Sequence, residues 1–270
     1  MFDVLQYSFI QNAFFASFFV AIIAAVVGYF LLIRGLTFAG HALSHIGFAG
    51  AAGAVLIGID PVVGLLVFTI AAGIGIGMLG RVLKERDVTI GIFLTLALAF
   101  GILFLFLYRG YAEQAYSILF GTILGISTLN VIITAIFSIV VLGILFFLFR
   151  PLLFSSFDPE VAEARGVPVK ILGILFLILV AITVSMSVQV VGVLLIFTLL
   201  VGPAATAMRL VKNPYFAIGI AMILGVIYSW VGIFIAVQTN LPVSFFIATL
   251  SFGTYVVVRI VEPILQKHYA

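Results

Sequence analysis

Long apolar runs follow one another along almost the whole chain, with only short polar breaks between them. Hydrophobic residues make up 65% of the sequence and charged residues only 8%, against about 25% charged residues in an ordinary soluble domain. A water-soluble fold would have too few polar side chains to cover its exterior. The natural solvent of this chain is therefore lipid, and the sequence predicts an all-α, polytopic membrane helical bundle.

The apolar runs are long enough to cross a bilayer, since a spanning helix needs about 20 apolar residues. About nine such helices fit the sequence, and residues 1–270 then form a single transmembrane domain. Eight spans remain the alternative if one of the two runs around Gln189 does not cross fully. We place the helices at Phe9–Ile33, Thr37–Ile57, Val62–Leu79, Val88–Tyr108, Val131–Phe149, Ile171–Ser187, Val190–Met208, Phe216–Val237 and Phe245–Ile260.

The distribution of Lys and Arg predicts the orientation of the chain. With nine spans and the N-terminus outside, every Lys and Arg except Arg109 lies in an inner connection or in the C-terminal tail. The cytoplasmic side of membrane proteins shows this bias, so the C-terminus is predicted to be cytoplasmic. The basic residues are scattered singly at helix ends, and they form no patch that could bind nucleic acid.

Two histidines stand four residues apart in the second predicted helix, within Gly40-His41-Ala42-Leu43-Ser44-His45. At this spacing the imidazoles share one helix face within about 6 Å, as do paired nitrogen ligands of a divalent transition metal. Ionisable groups inside a span are costly, so a functional role is the default hypothesis. The alternative is that both rings hydrogen-bond to neighbouring helices, or that His41 lies at the cytoplasmic interface.

A short helix is predicted in a cytoplasmic loop at about residues 155–168. Asp158 is placed to cap it, and Gly166 with Pro168 would end it. Two turns of helix are unstable alone in water, so this segment must dock, either on the inner ends of its own helices or in a partner protein. The candidate coupling residues are Asp158, Pro159, Glu160, Val161, Ala162, Glu163, Ala164 and Arg165.

Two other segments are candidates for lesser roles. Asp87 is placed to cap the fourth helix, and Glu85 with Asp87 could belong to a cytoplasmic interface or to solvated surface. Gly202-Pro203 falls inside a predicted span, where proline frees a carbonyl and kinks the axis. This pair predicts a hinge or a packing notch.

Gly73-x-x-x-Gly77 predicts close helix packing.

In this order, these segments resemble the permease subunits of ABC transporters for zinc, manganese or iron. The resemblance runs over Gly40–Ala49, Glu85–Ile92, Leu119–Leu124, Asp158–Gly166 and Val191–Ala207. It implies a homodimer in the plasma (inner) membrane of a prokaryote, with two copies of a cytoplasmic ABC ATPase. It also implies an extracytoplasmic metal-binding solute-binding protein that delivers the ion.

The resemblance also implies roles for individual residues. Asp158–Arg165 would be the coupling helix, and His45 matches the family's histidine on the metal path. The family usually has an acidic residue where this chain has His41. A pair of imidazoles is softer than a carboxylate with an imidazole, so the exchange favours zinc or another late divalent metal.

The sequence therefore predicts an importer subunit that is not itself an enzyme. It contains no G-x-x-x-x-G-K-[ST] motif, so ATP would be bound and hydrolysed by the partner subunit. The metal ion is cargo, and no permanently bound cofactor is expected. The alternative is an ion-coupled secondary metal transporter, which would need ionisable residues near the membrane midplane. All nine carboxylates fall near helix ends or in loops, which counts against it.

Overall fold

The structure is a computed structural model, and it describes residues 7–79, 83–108 and 125–268. These residues form ten helices and no strand. The helices are α1 (Ser8–Ile33), α2 (Thr37–Leu56), α3 (Pro61–Leu79), α4 (Leu83–Leu107), α5 (Thr128–Phe157), α6 (Pro159–Ala164), α7 (Val169–Val191), α8 (Val193–Leu210), α9 (Pro214–Thr239) and α10 (Val243–His268).

Each of the nine predicted spans overlaps one of the nine long helices described, which confirms the polytopic helical bundle. Seven of them are long and apolar enough to cross a membrane by length and composition, namely α1, α3, α4, α5, α7, α9 and α10. Polar and small residues lower the hydropathy of α2. Helix α8, with 18 residues, is the shortest of the long helices described. The number of spans and the side of each terminus stay predictions.

Several predicted helix boundaries are wrong. The fourth helix begins at Leu83, so Asp87 lies inside it and is not its cap. Its first residues are strong helix formers, which extend the helix beyond the apolar run. Helix α5 continues through Pro151 to Phe157, although the sequence predicted its end at Phe149. Neighbouring groups in membrane proteins can re-satisfy backbone that proline leaves unpaired.

The sequence predicted the break between the sixth and seventh long helices at residues 188–189, between Ser187 and Val190. In the structure the break falls at Gly192. Gly192 adopts φ 84° and ψ 163°, a region of backbone space that essentially only glycine occupies. The valines on either side are buried. Helix α7 therefore ends at Val191, and α8 begins at Val193, directly after this glycine.

Close helix contacts at glycine hold the interior together. A Cβ on Gly73 would lie 3.1 Å from the carbonyl oxygen of Leu177, and one on Gly77 would lie 2.8 Å from Ile174 Cγ1. Both contacts join α3 to α7, as the Gly-x-x-x-Gly spacing predicts for helices in lipid. The glycines of α3 therefore allow the close helix packing that the sequence predicts.

The outer surfaces of α4, α5 and α10 are apolar. Phe106 of α4 is 85% exposed, and Phe147 of α5 is 82% exposed. Rings of this size facing outwards on several helices would be unfavourable in water, whereas lipid accommodates them. Helices α1 and α7, by contrast, are mostly buried. The chain is therefore a multi-pass membrane protein with α1 and α7 inside the bundle.

Candidate metal path and coupling helix

The two histidines of α2 lie side by side. The ring centroids of His41 and His45 are 4.7 Å apart with an interplanar angle of 71°. The edge of His41 also meets Phe197 of α8, with ring centroids 5.0 Å apart. Both imidazoles are half-buried. The predicted shared face therefore exists, and it borders α8.

The ring nitrogens of this pair have no hydrogen-bond partner among the described residues. This disfavours the alternative in which both rings bond to neighbouring helices. Thr69 and Ser185, whose hydroxyl oxygens lie 2.7 Å apart, do make such a contact between helices. The part of the chain that the structure describes contains no group of three or more His, Cys, Asp or Glu that could hold a metal. The described residues therefore offer two adjacent imidazoles at this position, those of His41 and His45.

Small residues let most of α2 pack against its neighbours, whereas both histidines stay half-buried. A Cβ on Gly40 would lie 3.0 Å from Leu31 of α1, and Ala42 is fully buried. Ser44 turns its hydroxyl back to the carbonyl of Gly40, at 3.0 Å. The opposite face of α2 is thus packed against its neighbours, and the pair remains the half-open part of the helix.

The short helix predicted in the cytoplasmic loop is α6. Asp158 Oδ1 accepts a hydrogen bond of 3.0 Å from the amide of Val161, and so caps the helix as predicted. Gly166, with φ 82°, ends it, and the amide of Val167 donates to the carbonyl of Ala162 at 3.0 Å. This is the hydrogen-bond pattern of a glycine-terminated helix.

Helix α6 docks on its own chain by one side only. Ala162 is fully buried where α6 packs between the end of α5 and the start of α7, whereas Val161 is 43% exposed. Glu160, Glu163 and Arg165 are also exposed. The two docking alternatives are therefore compatible, because the buried side uses the chain's own helices and the other side stays accessible.

The remaining candidate residues belong to helices other than α2. Asp87 is exposed within α4, and the side chain of Glu85 lies outside the described residues. A Cβ on Gly202 would lie 1.9 Å from Ser251 Oγ of α10. Helix α8 runs without a break through Pro203. Gly202-Pro203 therefore fits the packing-notch interpretation.

One polar cluster was not predicted from the sequence. The Arg34 guanidinium, just after α1, donates from Nη1 to Ser155 Oγ at 3.1 Å and to Ser156 Oγ at 3.2 Å. The guanidinium carbon also lies 5.6 Å from the ring centre of Phe176. Arg34 was interpreted only as a basic residue at an inner helix end. The two adjacent serines before Asp158 were the available signal.

The bundle, the accessible histidine pair and the exposed short helix together define a membrane permease. Residues 6–262 match the ABC 3 transport family. The chain therefore belongs to this family, the metal permeases of ABC transporters, and the resemblance inferred from the sequence is confirmed. The segment Leu119–Leu124, one of those that carried the resemblance, lies outside the described residues.

Individual relatives agree over nearly the whole chain. The chain is 33% identical to the manganese transport system membrane protein MntC of Halalkalibacterium halodurans, over 87% of this chain and 81% of that protein. It is 31% identical to the manganese import system permease protein ScaB of Streptococcus parasanguinis, over 97% and 94%. The solved structure of PsaBC from Streptococcus pneumoniae in complex with Fab is 30% identical, with a TM-score of 0.85, and the match covers 95% of this chain and 93% of that one.

Proposed function

We propose that this chain is the permease subunit of an ABC importer for a divalent first-row transition metal. The observation that carries the proposal is the His41–His45 pair. It offers two imidazoles with uncommitted nitrogens on one half-open helix face, in a chain of the metal permease family. Imidazole is a good ligand for such ions. Placing two ionisable side chains inside a membrane bundle costs free energy, and a function in metal binding explains why they are there.

The ligand number suits a transport site. A structural zinc site is closed by four protein ligands, and an ion held in this way would not leave. Conduction requires binding that is strong enough to admit the ion and weak enough to release it. A two-nitrogen site that water or another chain completes meets both conditions. The imidazoles must be neutral to bind, so acidification should weaken uptake.

The proposed complex contains further proteins. A separate ABC ATPase would supply the energy, because the sequence has no P-loop motif of its own. Helix α6 would insert its exposed side into that ATPase, and closure of the ATPase dimer would push on α6 and open the path on one side at a time. A homodimer of this subunit and an extracytoplasmic solute-binding protein complete the proposal, in the plasma membrane of a prokaryote.

Docking through α6 is tested by placing a charge on its exposed apolar position. We expect Val161→Asp to weaken binding of the ATPase at least about tenfold, because the charge would lose its water in the interface. The measurement is the amount of ATPase that copurifies with the permease. Leu241→Asp is the matched control, since Leu241 is also exposed but lies between α9 and α10. Equal retention of the ATPase by both variants would contradict docking through α6.

The two imidazoles and the names of the relatives point to different metals. Two imidazoles favour zinc or another late divalent ion over manganese, whereas MntC and ScaB are named for manganese. We therefore propose that the chain carries both manganese and zinc, and that His41 sets the balance between them.

Replacing His41 with aspartate should move this balance. We expect His41→Asp to raise manganese uptake relative to zinc by at least about fivefold, because a hard carboxylate replaces an imidazole. The measurement is uptake of labelled manganese in competition with zinc. His41→Asn is the control, because it removes the imidazole without adding a charge. An unchanged preference in His41→Asp would rule out a role of His41 in selectivity.

A further inference from the structure

Arg34 connects the end of α1 to the last turn of α5. Its Nη1 lies 3.1 Å from Ser155 Oγ, 3.2 Å from Ser156 Oγ and 3.5 Å from the carbonyl oxygen of Leu152. The guanidinium also lies over the ring of Phe176 on α7. One cation thus connects α1, α5 and α7, and the last two of these helices pack on α6. A guanidinium suits this position because its planar fork donates several hydrogen bonds and stacks on an aromatic ring.

The α5 side of this cluster leads directly into α6. The hydroxyls of Ser155 and Ser156 both donate to the carbonyl of Leu152, at 3.1 and 2.5 Å, and Ser155 is only 3% exposed. The next residues are Phe157 and then Asp158, which caps α6. The last turn of α5 is therefore a bonded unit, and a displacement of α6 must move that turn.

The α1 side of the cluster leads directly into α2. The amide of Gly35 donates to the carbonyl of Leu32 at 3.1 Å, and that of Leu36 donates to the carbonyl of Leu31 at 2.8 Å. With φ 64° at Gly35, these bonds form a Schellman turn. Helix α2 begins at the next residue, and His41 lies in its second turn. The connection from Arg34 to the histidines is therefore short and hydrogen-bonded.

We propose that Arg34 is a positioning residue that transmits displacement of α6 to the histidine-bearing helix α2. The inference rests on the proposed function, in which an ATPase moves α6. The route runs from α6 through the serines of α5 to Arg34, and from Arg34 through the Gly35 turn into α2. Loss of Arg34 would leave α6 and α2 in place but would let one move without the other.

The test compares ATP hydrolysis and metal uptake in the same proteoliposomes, which contain the permease with its ATPase and use manganese as the probe. We expect Arg34→Gln to lower the number of ions taken up per ATP hydrolysed at least about tenfold, with hydrolysis within about twofold of wild type. Arg34→Lys should be intermediate, because an ammonium lacks the fork. Arg150→Gln is the matched control, since Arg150 is exposed on α5, and it should keep the wild-type ratio.

A second variant addresses the same contact from α5. Ser155→Ala with Ser156→Ala removes the hydroxyl acceptors and keeps Arg34, so it should lower the same ratio even if Arg34→Gln does not assemble. Adding Arg34→Gln to the two serine substitutions should not lower the number of ions per ATP any further, because all these changes break the same contact. Equal falls in uptake and hydrolysis in an assembled complex, or an unchanged ratio in these variants, would overturn the inference.

A labelling experiment reports the movement itself. The chain has no cysteine, so Phe38→Cys, at an exposed position in the first turn of α2, can be labelled selectively. We expect a nonhydrolysable ATP analogue to change the labelling rate of this cysteine when Arg34 is present. In the double variant Phe38→Cys/Arg34→Gln the analogue should leave the labelling rate unchanged. A nucleotide response that persists in Arg34→Gln would also overturn the inference. Failure of the proposed function is distinguishable, because wild type itself would then show no ATP-dependent uptake.

Discussion

Replacing His45 with alanine is expected to reduce ATP-driven metal uptake at least about 100-fold. Loss of a residue that only orients a metal ligand typically lowers metal affinity or activity 10–100-fold. In His45→Ala the proposed ligand itself is removed. Among the described residues the proposed site has two imidazoles, so His45→Ala would leave it a single ring-nitrogen ligand. The measurement is the initial rate of labelled manganese or zinc uptake by proteoliposomes that contain the assembled complex.

The expected loss must come from the metal path and not from misfolding. His45 is half-buried and makes no hydrogen bond within the described residues, so alanine should leave the thermal stability of the detergent-solubilised protein nearly unchanged. His268→Ala is the matched control, because His268 is the remaining histidine and lies at the far end of α10. Wild-type uptake by a correctly assembled His45→Ala complex would show that the metal takes another route.

Gly50→Ala is expected to destabilise the protein by about 3 kcal/mol or more. A Cβ on Gly50 would lie 2.2 Å from the carbonyl oxygen of Gly64, and a Cβ on Gly64 would lie 2.1 Å from that of Gly50. Neither backbone can yield as a flexible side chain could, so α2 and α3 would have to separate. Overpacking of a tight core typically costs 1–3 kcal/mol, and backbone clashes lie at or above that range. The measurement is the unfolding temperature in detergent and the yield of monodisperse protein.

Gly143→Ala in α5 provides the opposite case. Among the described residues, no atom outside its own helix segment lies within 4 Å of a Cβ built at Gly143. Alanine is favoured over glycine in a helix interior by roughly 0.5–1 kcal/mol, so this variant should be as stable as wild type or slightly more stable. Similar stabilities of Gly50→Ala and Gly143→Ala would contradict the close α2–α3 contact.

The helices themselves could be predicted because lipid imposes a simple rule. Each span must be apolar and must satisfy its own backbone, so apolar length reports helix position directly. The cap of α6 was also predictable, because Asp158 and Gly166 act through local geometry. The spacing of His41 and His45 predicted their shared face for the same reason, since helix periodicity alone decides it.

The errors arise where the deciding contact is distant in sequence or where two signals compete. Glu85 and Asp87 looked like a polar connection, but the residues there also favour helix, and α4 begins earlier. The turn at Gly192 is buried among valines and carries no polar signal. Arg34 reaches Ser155 across more than a hundred residues of chain, so no local pattern could reveal the pair.

The two functional interpretations differ most clearly in their energy source. An ABC permease needs its ATPase and ATP, whereas a secondary transporter needs an ion gradient and, in general, ionisable residues near the membrane midplane. In the described part of the chain the acidic residues lie near helix ends or in connections. This distribution favours the ATP-driven interpretation.

The most direct measurement is therefore manganese and zinc uptake into proteoliposomes containing this chain, with and without a partner ABC ATPase. We predict uptake that requires the ATPase and hydrolysable ATP, persists when protonophores and ionophores collapse all ion gradients, and disappears in the His41→Ala/His45→Ala variant. Uptake by this chain alone, driven by a proton or sodium gradient and independent of ATP, would contradict the account and identify a secondary transporter.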